Sequence, residues 1–296
     1  MFLTQGQNTA SRKPPFSVHF FHVISKKPGI IIACAVIGFF LVLALLAPFI
    51  APHDPYTLNL RNRLDTPSAE HLFGTDAQGR DVLSRVVFGT RASLAIGLLA
   101  PAFAFAVGTI IGLTSGYVGG LVDTLVMRLM DILKAFPLLL MALFILTIMG
   151  NRFELVVIAI GVAMTPDMVR LVRAHVLVVK TMEYVQAARA MRFSHARIAL
   201  SHILPGILGP MIVYITLGIS HAVLIEAALG FLGFGVPTPR ASWGNIMSGG
   251  MAYIRSNPWL AIGPALAIIA LVLSVNTLGE YVRQWYEPGR NKALSS

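Results

Sequence analysis

The sequence contains very little cysteine and very little charge. Cys34 is the only cysteine, which excludes an intramolecular disulfide and a cysteine-rich metal site. Charged residues make up 12% of the 296 residues, against roughly 25% in an average soluble domain. Because a soluble chain of this length needs more charge to cover its surface, and 56% of the residues are hydrophobic, the composition predicts an integral membrane protein.

Several chemical motifs are also absent. No G-x-x-x-x-G-K-[ST] sequence occurs, so the chain is not expected to bind or hydrolyse ATP itself. No Ser/His/Asp or Cys/His arrangement stands out, and we predict a non-catalytic protein. The bases are dispersed among short polar intervals, which argues against a nucleic-acid partner. The spacing of four histidines matches no metal motif, so no metal site is predicted from His175, His195, His202 and His221.

Charge-free intervals predict the membrane spans, because a helix needs about 20 apolar residues to cross the bilayer. The predicted fold is all-α, with six transmembrane helices. The intervals are Ile30 to Ala51, Arg91 to about Ser115, Lys134 to Arg152, Leu155 to about Val172, Ile207 to Ile225, and Arg255 to Glu280. The second helix is expected to stop near Ser115, before a glycine-rich turn, and Pro166 with Asp167 is expected to interrupt the fourth.

The distribution of Lys and Arg predicts the orientation of these spans. Six spans place both termini on one side, and fifteen of the 23 bases then lie on that side against eight on the other. Since short cytoplasmic loops carry the excess of bases, both termini are predicted to be cytoplasmic. Most of the net charge of +10 is therefore an orientation signal.

The polar segment from Glu183 to Pro205 carries the most informative pattern. Small residues include Ala187 and Ala188, Ser194 can cap a second helix, and Pro205 is expected to break or kink the chain before the next span. The segment therefore predicts a helix, a turn and another helix outside the bilayer. From composition alone, an amphipathic loop lying on anionic lipid fits equally well.

Glu183, Ala187, Ala188 and Pro205 at this spacing resemble the cytoplasmic loop of binding-protein-dependent ABC importer permeases. In that family the loop docks on the ATPase subunit, and the resemblance implies coupling roles for Glu183, Ala187, Ala188, Arg189, Arg192, Ser194 and Pro205. The family usually has glycine where this chain has Arg192. This departure suggests a different turn or an additional charge at the docking surface.

A second block narrows the resemblance to the C-type subunits of dipeptide, oligopeptide and nickel permeases. The run from Phe73 to Arg85 is similar to their GTDxxGRDxxSR signature, and its alternating charges predict a salt-bridged external cap. The motif residues are Gly74, Thr75, Asp76, Gly79, Arg80 and Asp81.

A later stretch, from Ala227 to Gly244, also resembles these permeases. Its glycines, including Gly230 and Gly233, are expected to permit close helix packing and a sharp exit from the bilayer. Glu226 is open to two interpretations: a headgroup-level acid paired with an arginine, or a part of the translocation path.

The predicted organisation follows from these assignments. Residues 1–28 form a cytoplasmic arm, 29–51 the first span, 52–91 an external loop, 92–282 the permease core with a coupling loop at 173–206, and 283–296 a cytoplasmic tail.

The resemblance implies the architecture of type I ABC importer permeases and a peptide permease subunit in the bacterial inner membrane. Implied partners are a homologous second permease, two ATP-binding subunits that hold ATP and Mg²⁺, and an external solute-binding protein; this subunit binds no cofactor. Nickel or a metal chelate is the alternative cargo. An ion-driven secondary transporter and a non-transporting scaffold are the rivals from other classes.

Overall fold

The computed structural model describes residues 28–286, and this part of the chain is mostly helical and contains no β-strand. The long helices are α1 (Pro28–Leu45), α3 (Val82–Val118), α6 (Phe153–Val179), α9 (Leu204–Phe231) and α11 (Trp259–Tyr286). The shorter ones are α2 (Ala47–Ile50), α4 (Gly120–Lys134), α5 (Leu138–Met149), α7 (Glu183–Ala190), α8 (His195–Ile198) and α10 (Trp243–Met251). A 3₁₀ turn covers Leu60–Asn62, and a π-helical segment, Ala199–Ile203, joins α8 to α9.

Five helical segments are long and apolar enough to cross a membrane, namely α1, α3, α6, the continuous run from α8 to α9, and α11. The third predicted span is wrong as a single straight helix. Only α5 lies between Lys134 and Arg152, and its 12 residues extend about 18 Å, which is too short for a bilayer of about 30 Å. Helices α4 and α5 form a pair bent by 88°. If this pair counts as one span, the number of candidate spans is six.

The second span differs from its prediction at both ends. It begins at Val82, so ten residues assigned to the external loop are helical, and it ends at Val118 instead of near Ser115. The turn follows at Gly119 and Gly120, whose φ angles of +74° and +59° suit residues without a Cβ. With 37 residues, α3 is about 55 Å long and exceeds the hydrocarbon thickness.

Pro166 does not interrupt the fourth span as predicted, and Pro205 does not break the chain before the fifth. Pro166 lies inside the unbroken helix α6, and Pro205 lies in the first turn of α9. The proline ring would clash with the carbonyl four residues earlier in a regular α-helix. The π-helical segment immediately before Pro205 widens the helix there, so that α8 continues into α9.

A row of glycines on α3 packs against α6, and these two helices form the most extensive contact in the molecule. A Cβ on Gly108 would approach the side chain of Met168 to 2.6 Å, and a Cβ on Gly112 would approach the carbonyl oxygen of Val169 to 2.7 Å. Since only hydrogen fits at these positions, the two backbones approach closely. This four-residue glycine spacing is a sequence signal for close helix packing that was not among the predictions above.

Candidate coupling site

The segment predicted to couple to an ATPase folds as a helix, a turn and a second helix. After α6 ends at Val179, α7 begins with Glu183 in its first turn, where a negative charge suits the helix dipole. The Ser194 hydroxyl accepts a hydrogen bond from the Arg197 backbone N–H and caps α8. The predicted helix, turn and helix are therefore present, although Pro205 does not end them.

The two faces of α7 have different surroundings. Val185 and Ala188 are fully buried and pack in a cluster with residues of α6 and of the run from α8 to α9, such as Val176 and Ile203. Ala187 is exposed. Of the two adjacent alanines in the motif, Ala187 is therefore available for docking, whereas Ala188 attaches α7 to the spans.

Arg192 occupies a left-handed turn. Its φ angle is +57°, and the turn is closed by hydrogen bonds from the Arg192 N–H to the Arg189 carbonyl (2.9 Å) and from the Phe193 N–H to the Ala188 carbonyl (3.2 Å). Glycine is the usual residue in this helix-ending geometry. Arg192 therefore adopts the conformation that glycine favours, and its exposed side chain adds a positive charge to the surface of the loop.

Cationic and aromatic side chains line an open groove between α3 and the loop. The Tyr117 hydroxyl lies 2.8 Å from Nδ1 of His195, and the Arg189 guanidinium lies 5.7 Å from the centre of the Tyr117 ring. Arg197 lies over Phe193 at 4.4 Å. The groove has a volume of about 1070 Å³. The rest of the lining is largely apolar, so the groove suits a partner segment with apolar as well as acidic groups.

Ion pairs attach the helices beside this loop to one another. Arg173 on α6 donates two hydrogen bonds of 2.5 Å to the Asp123 carboxylate on α4, and Ser115 on α3 donates a third, of 2.6 Å. Lys180 donates to the Gly116 carbonyl near the end of α3 at 2.8 Å. A bidentate arginine–carboxylate pair fixes orientation as well as distance, so these helix ends are held in register. Lys134 on α4 also pairs with Asp167 on α6.

The GTDxxGRD motif lies at the opposite end of α3, and Asp76 is the centre of its hydrogen bonding. Its carboxylate accepts from Nε of Arg80 at 2.7 Å and lies 3.5 Å from Nε of Arg85. Thr75 accepts from the Asp65 N–H at 2.9 Å and donates to the Asn62 carbonyl. The acids and bases of the motif thus form a compact network.

The remaining motif residues shape the entry into α3. Asp81 caps the helix by accepting from the Ser84 N–H at 2.7 Å. Gly74 and Gly79 have φ angles of +67° and +73°, and a Cβ on Gly79 would lie 1.7 Å from the Asn59 carbonyl oxygen. Both positions therefore require glycine.

Glu226 is fully buried between helices and has no arginine partner within residues 28–286, so its interpretation as an acid paired at the headgroups is wrong. Ser93 on α3 donates to Glu226 on α9 at 2.9 Å, and the same hydroxyl accepts from the backbone N–H of Trp243 on α10 at 3.2 Å. This relay joins three helices.

The glycines after Glu226 allow that junction to close. A Cβ on Gly230 would lie 2.9 Å from Cα of Gly244, and Gly233, with φ +86°, ends α9. Gly230 therefore permits the close packing, and Gly233 permits the chain to leave the helix.

Named proteins resemble the chain over most of its length. It is 39% identical to the dipeptide transport system permease protein of Alkalihalophilus pseudofirmus, over 90% of this chain and 88% of that one. It is 35% identical to the oligopeptide transport system permease protein of Haemophilus influenzae (86% and 82%) and 36% identical to the glutathione transport system permease protein of Pectobacterium atrosepticum (84% and 83%).

The fold has a solved counterpart in an inward-facing structure of a methionine ABC transporter. The two chains share 20% identity and a TM-score of 0.56, over 68% of this chain and 96% of the other. Residues 17–67 match the N-terminal transmembrane domain of oligopeptide transport permease C. Residues 108–292 match the binding-protein-dependent transport system inner membrane component, and the chain belongs to this family of multi-pass membrane permeases.

Proposed function

We propose that this chain is a permease subunit of an ATP-binding cassette importer and forms half of a path for peptides across the bacterial cytoplasmic membrane. The division of α7 into an exposed face at Ala187 and a buried face at Val185 and Ala188 carries this proposal. The named relatives of the chain are permeases for dipeptides, oligopeptides and glutathione, which supports peptides over nickel as the cargo.

The importer contains a homologous second permease, two ATP-binding subunits and an external solute-binding protein. ATP and Mg²⁺ are held by the ATP-binding subunits, and this chain binds no nucleotide and catalyses no reaction. The absence of a P-loop supports this division of work. Both termini and α7 lie on the cytoplasmic side, where the excess of Lys and Arg supports their placement.

ATP-driven closure of the ATPase subunits moves α7 as a unit with the spans. A force on the exposed face reaches α6 through the packing of Val185 and Ala188, and the Asp123–Arg173 pair carries it to α4. Because the run from α8 to α9 is continuous, displacement of the loop also reorients the fifth span. The two-state element is therefore the loop together with its attached helices.

Exchange of Ala187 for glutamate tests the docking role of α7. Ala187→Glu adds bulk and negative charge to the exposed face, and glutamate is a good helix former, so the fold of α7 should survive. We expect uptake of a labelled dipeptide by the reconstituted importer to fall about tenfold or more, corresponding to the loss of about 1.4 kcal/mol of docking energy. Ala188 is unsuitable for this test, because its burial would confound docking with misfolding.

Ala252→Glu provides the matched control. Ala252 is also exposed, and it follows α10 at the opposite end of the molecule. The control should retain uptake and assembly. Wild-type uptake in the Ala187→Glu importer, with the variant present in the membrane at normal abundance, would contradict the docking assignment.

A further inference from the structure

We propose that His53, His71 and Asp81 form a binding site for a divalent transition-metal cation, with Zn²⁺ the ion that they fit best. One potential ligand atom from each side chain lies within 4.8 Å of the other two. The three residues come from separate places: the segment after α2, the loop that follows, and the N-cap of α3. Two imidazoles and one carboxylate are a typical ligand set for zinc.

The charge of Asp81 supports a cation at this position. Its side chain is 2% exposed, and within residues 28–286 its ion-pair contacts are to His53 and His71 alone. The nearby guanidinium groups of Arg80 and Arg85 pair instead with Asp76. Asp81 accepts a hydrogen bond from the Ser84 N–H and lies 3.0 Å from Nδ1 of His71, and a bound metal ion would add a full positive charge beside this buried carboxylate.

His53 provides a second and independent observation. Its Nδ1 atom is buried and has no hydrogen-bond partner in the part of the chain that the structure describes. The nitrogen lone pair of a neutral imidazole is the group that a transition metal binds. The ring of His53 lies 4.7 Å from that of His71, centre to centre, so both side chains border the same small volume.

The three ligand atoms, which lie within 4.8 Å of one another, would draw closer together to coordinate zinc. Tetrahedral zinc with ligands at 2.0–2.2 Å places the ligand atoms about 3.3 Å apart. Nδ1 of His71 lies 3.0 Å from Oδ1 of Asp81, and Nδ1 of His53 lies 3.9 Å from Oδ2. The His53 side chain is 38% exposed, so one side of the cluster faces solvent, and a water would supply the fourth ligand.

A bound ion would brace the joint between the first and second spans. The backbone N–H of His53 already donates to the Ser84 hydroxyl at 3.0 Å, and the Ser84 N–H donates to Asp81. Metal coordination would add His53 and His71 to the cap of α3. The ion would therefore stabilise the loop that carries the GTDxxGRD motif.

Metal titration of the purified, chelator-stripped permease complex tests the site. We expect wild-type protein to bind one more Zn²⁺ per chain than His53→Ala, or to bind that ion about tenfold or more tightly, as measured by isothermal titration calorimetry. His202→Ala is the matched control, since His202 lies in the π-helical segment far from the cluster and should leave Zn²⁺ binding unchanged. Co²⁺ added to wild-type protein should produce the visible absorption of a tetrahedral complex.

Equal Zn²⁺ stoichiometry and affinity in wild type and His53→Ala would overturn the proposal. The contact between His71 and Asp81 would then be a hydrogen bond without a metal role. If His53→Ala cannot be purified, His53→Gln serves in its place. Absence of the tetrahedral Co²⁺ spectrum in wild-type protein overturns the proposal without any variant.

Discussion

The backbone conformation of one residue, Arg192, sets the geometry of the turn after α7. A side chain in the left-handed region costs about 1–2 kcal/mol relative to the right-handed helix, because Cβ crowds the following carbonyl. The hydrogen bonds that close the turn after α7 hold Arg192 there at φ +57°. The family resemblance identified the unusual residue, and the backbone angle shows that this arginine takes the conformation usual for glycine.

Replacement of Arg192 by glycine should therefore stabilise the loop. The relief of strain exceeds the greater entropy loss of glycine, so we expect the free energy of local unfolding to rise by about 0.5–1 kcal/mol. Hydrogen exchange of the amides in residues 183–198 measures this change. Uptake should remain near the wild-type level if the turn, and not the charge, is what docking requires.

Arg189→Gly is the control for that prediction. Arg189 lies three residues earlier, in the last turn of α7, where glycine lowers helix stability by about 1 kcal/mol. Glycine should therefore speed hydrogen exchange of the loop amides when it replaces Arg189, and slow it when it replaces Arg192. Faster exchange in both variants would show that the positive φ of Arg192 carries no strain.

The residue type of Glu226 alone is compatible with two structural roles, a paired acid at the headgroups or a part of the translocation path. A carboxylate in an apolar interval must be paired, solvated or hydrogen-bonded, and sequence spacing does not choose among these. Ser93 is 133 positions away along the chain, and its contact with Glu226 arises only when α3 packs against α9. The relay to Trp243 assigns Glu226 to the junction of three helices.

For the single helix α3, the spacing of its glycines decides which neighbouring helix α3 packs against. Gly108, Gly112 and Gly116 recur every four residues and face α6, and a Cβ on any of them would meet α6 atoms within 3.0 Å. Residues four apart lie on one face of a helix, so the three form a continuous groove. The pattern was present in the sequence as G-x-x-x-G-x-x-x-G.

Gly112→Ala should separate α3 from α6. The added methyl would lie 2.7 Å from the Val169 carbonyl oxygen, a backbone atom that cannot rotate away. We expect a loss of stability of about 1–3 kcal/mol through overpacking, seen as a lower Tm of the purified permease.

Gly38→Ala provides the comparison. Gly38 lies inside α1 and has no atom within 4 Å of the position that a Cβ would take. The variant should be neutral or more stable by up to about 1 kcal/mol, since alanine favours helix. Equal Tm values for the two variants would contradict close packing at Gly112.

In the molecule as a whole, α3 extends from the GTDxxGRD motif to the candidate coupling site. The GTDxxGRD network surrounds its first turn, and the coupling loop packs beside its last turns through Tyr117 and His195. Because a helix of about 55 Å exceeds the bilayer, both ends lie beyond the hydrocarbon. The excess of bases predicts which end faces the cytoplasm.

Cysteine labelling tests this orientation. With Cys34 replaced by serine, the chain has no cysteine, so Ala187→Cys and Ala252→Cys each introduce a single exposed thiol. We expect a membrane-impermeant maleimide to label position 252 in intact spheroplasts, and position 187 only after permeabilisation. Labelling in the reverse order would invert the predicted topology.

The order of residues is enough to predict the class, the family and most of the spans. Low charge and long apolar intervals require a membrane solvent for the chain, and the motifs at Gly74–Asp81 and Glu183–Pro205 are local patterns that remain legible without coordinates. Local capping also follows from sequence, as Ser194 shows. These features depend on neighbours within a few residues.

Other features depend on contacts between distant parts of the chain and are visible only in the folded molecule. The bend between α4 and α5, the continuity of α6 through Pro166, and the π-helical passage before Pro205 reflect packing that overrides local propensity. The burial of Ala188 beside an exposed Ala187, and the meeting of His53 and His71 with Asp81, likewise need folded geometry. Spacing cannot reveal these contacts, because separate segments supply the interacting side chains.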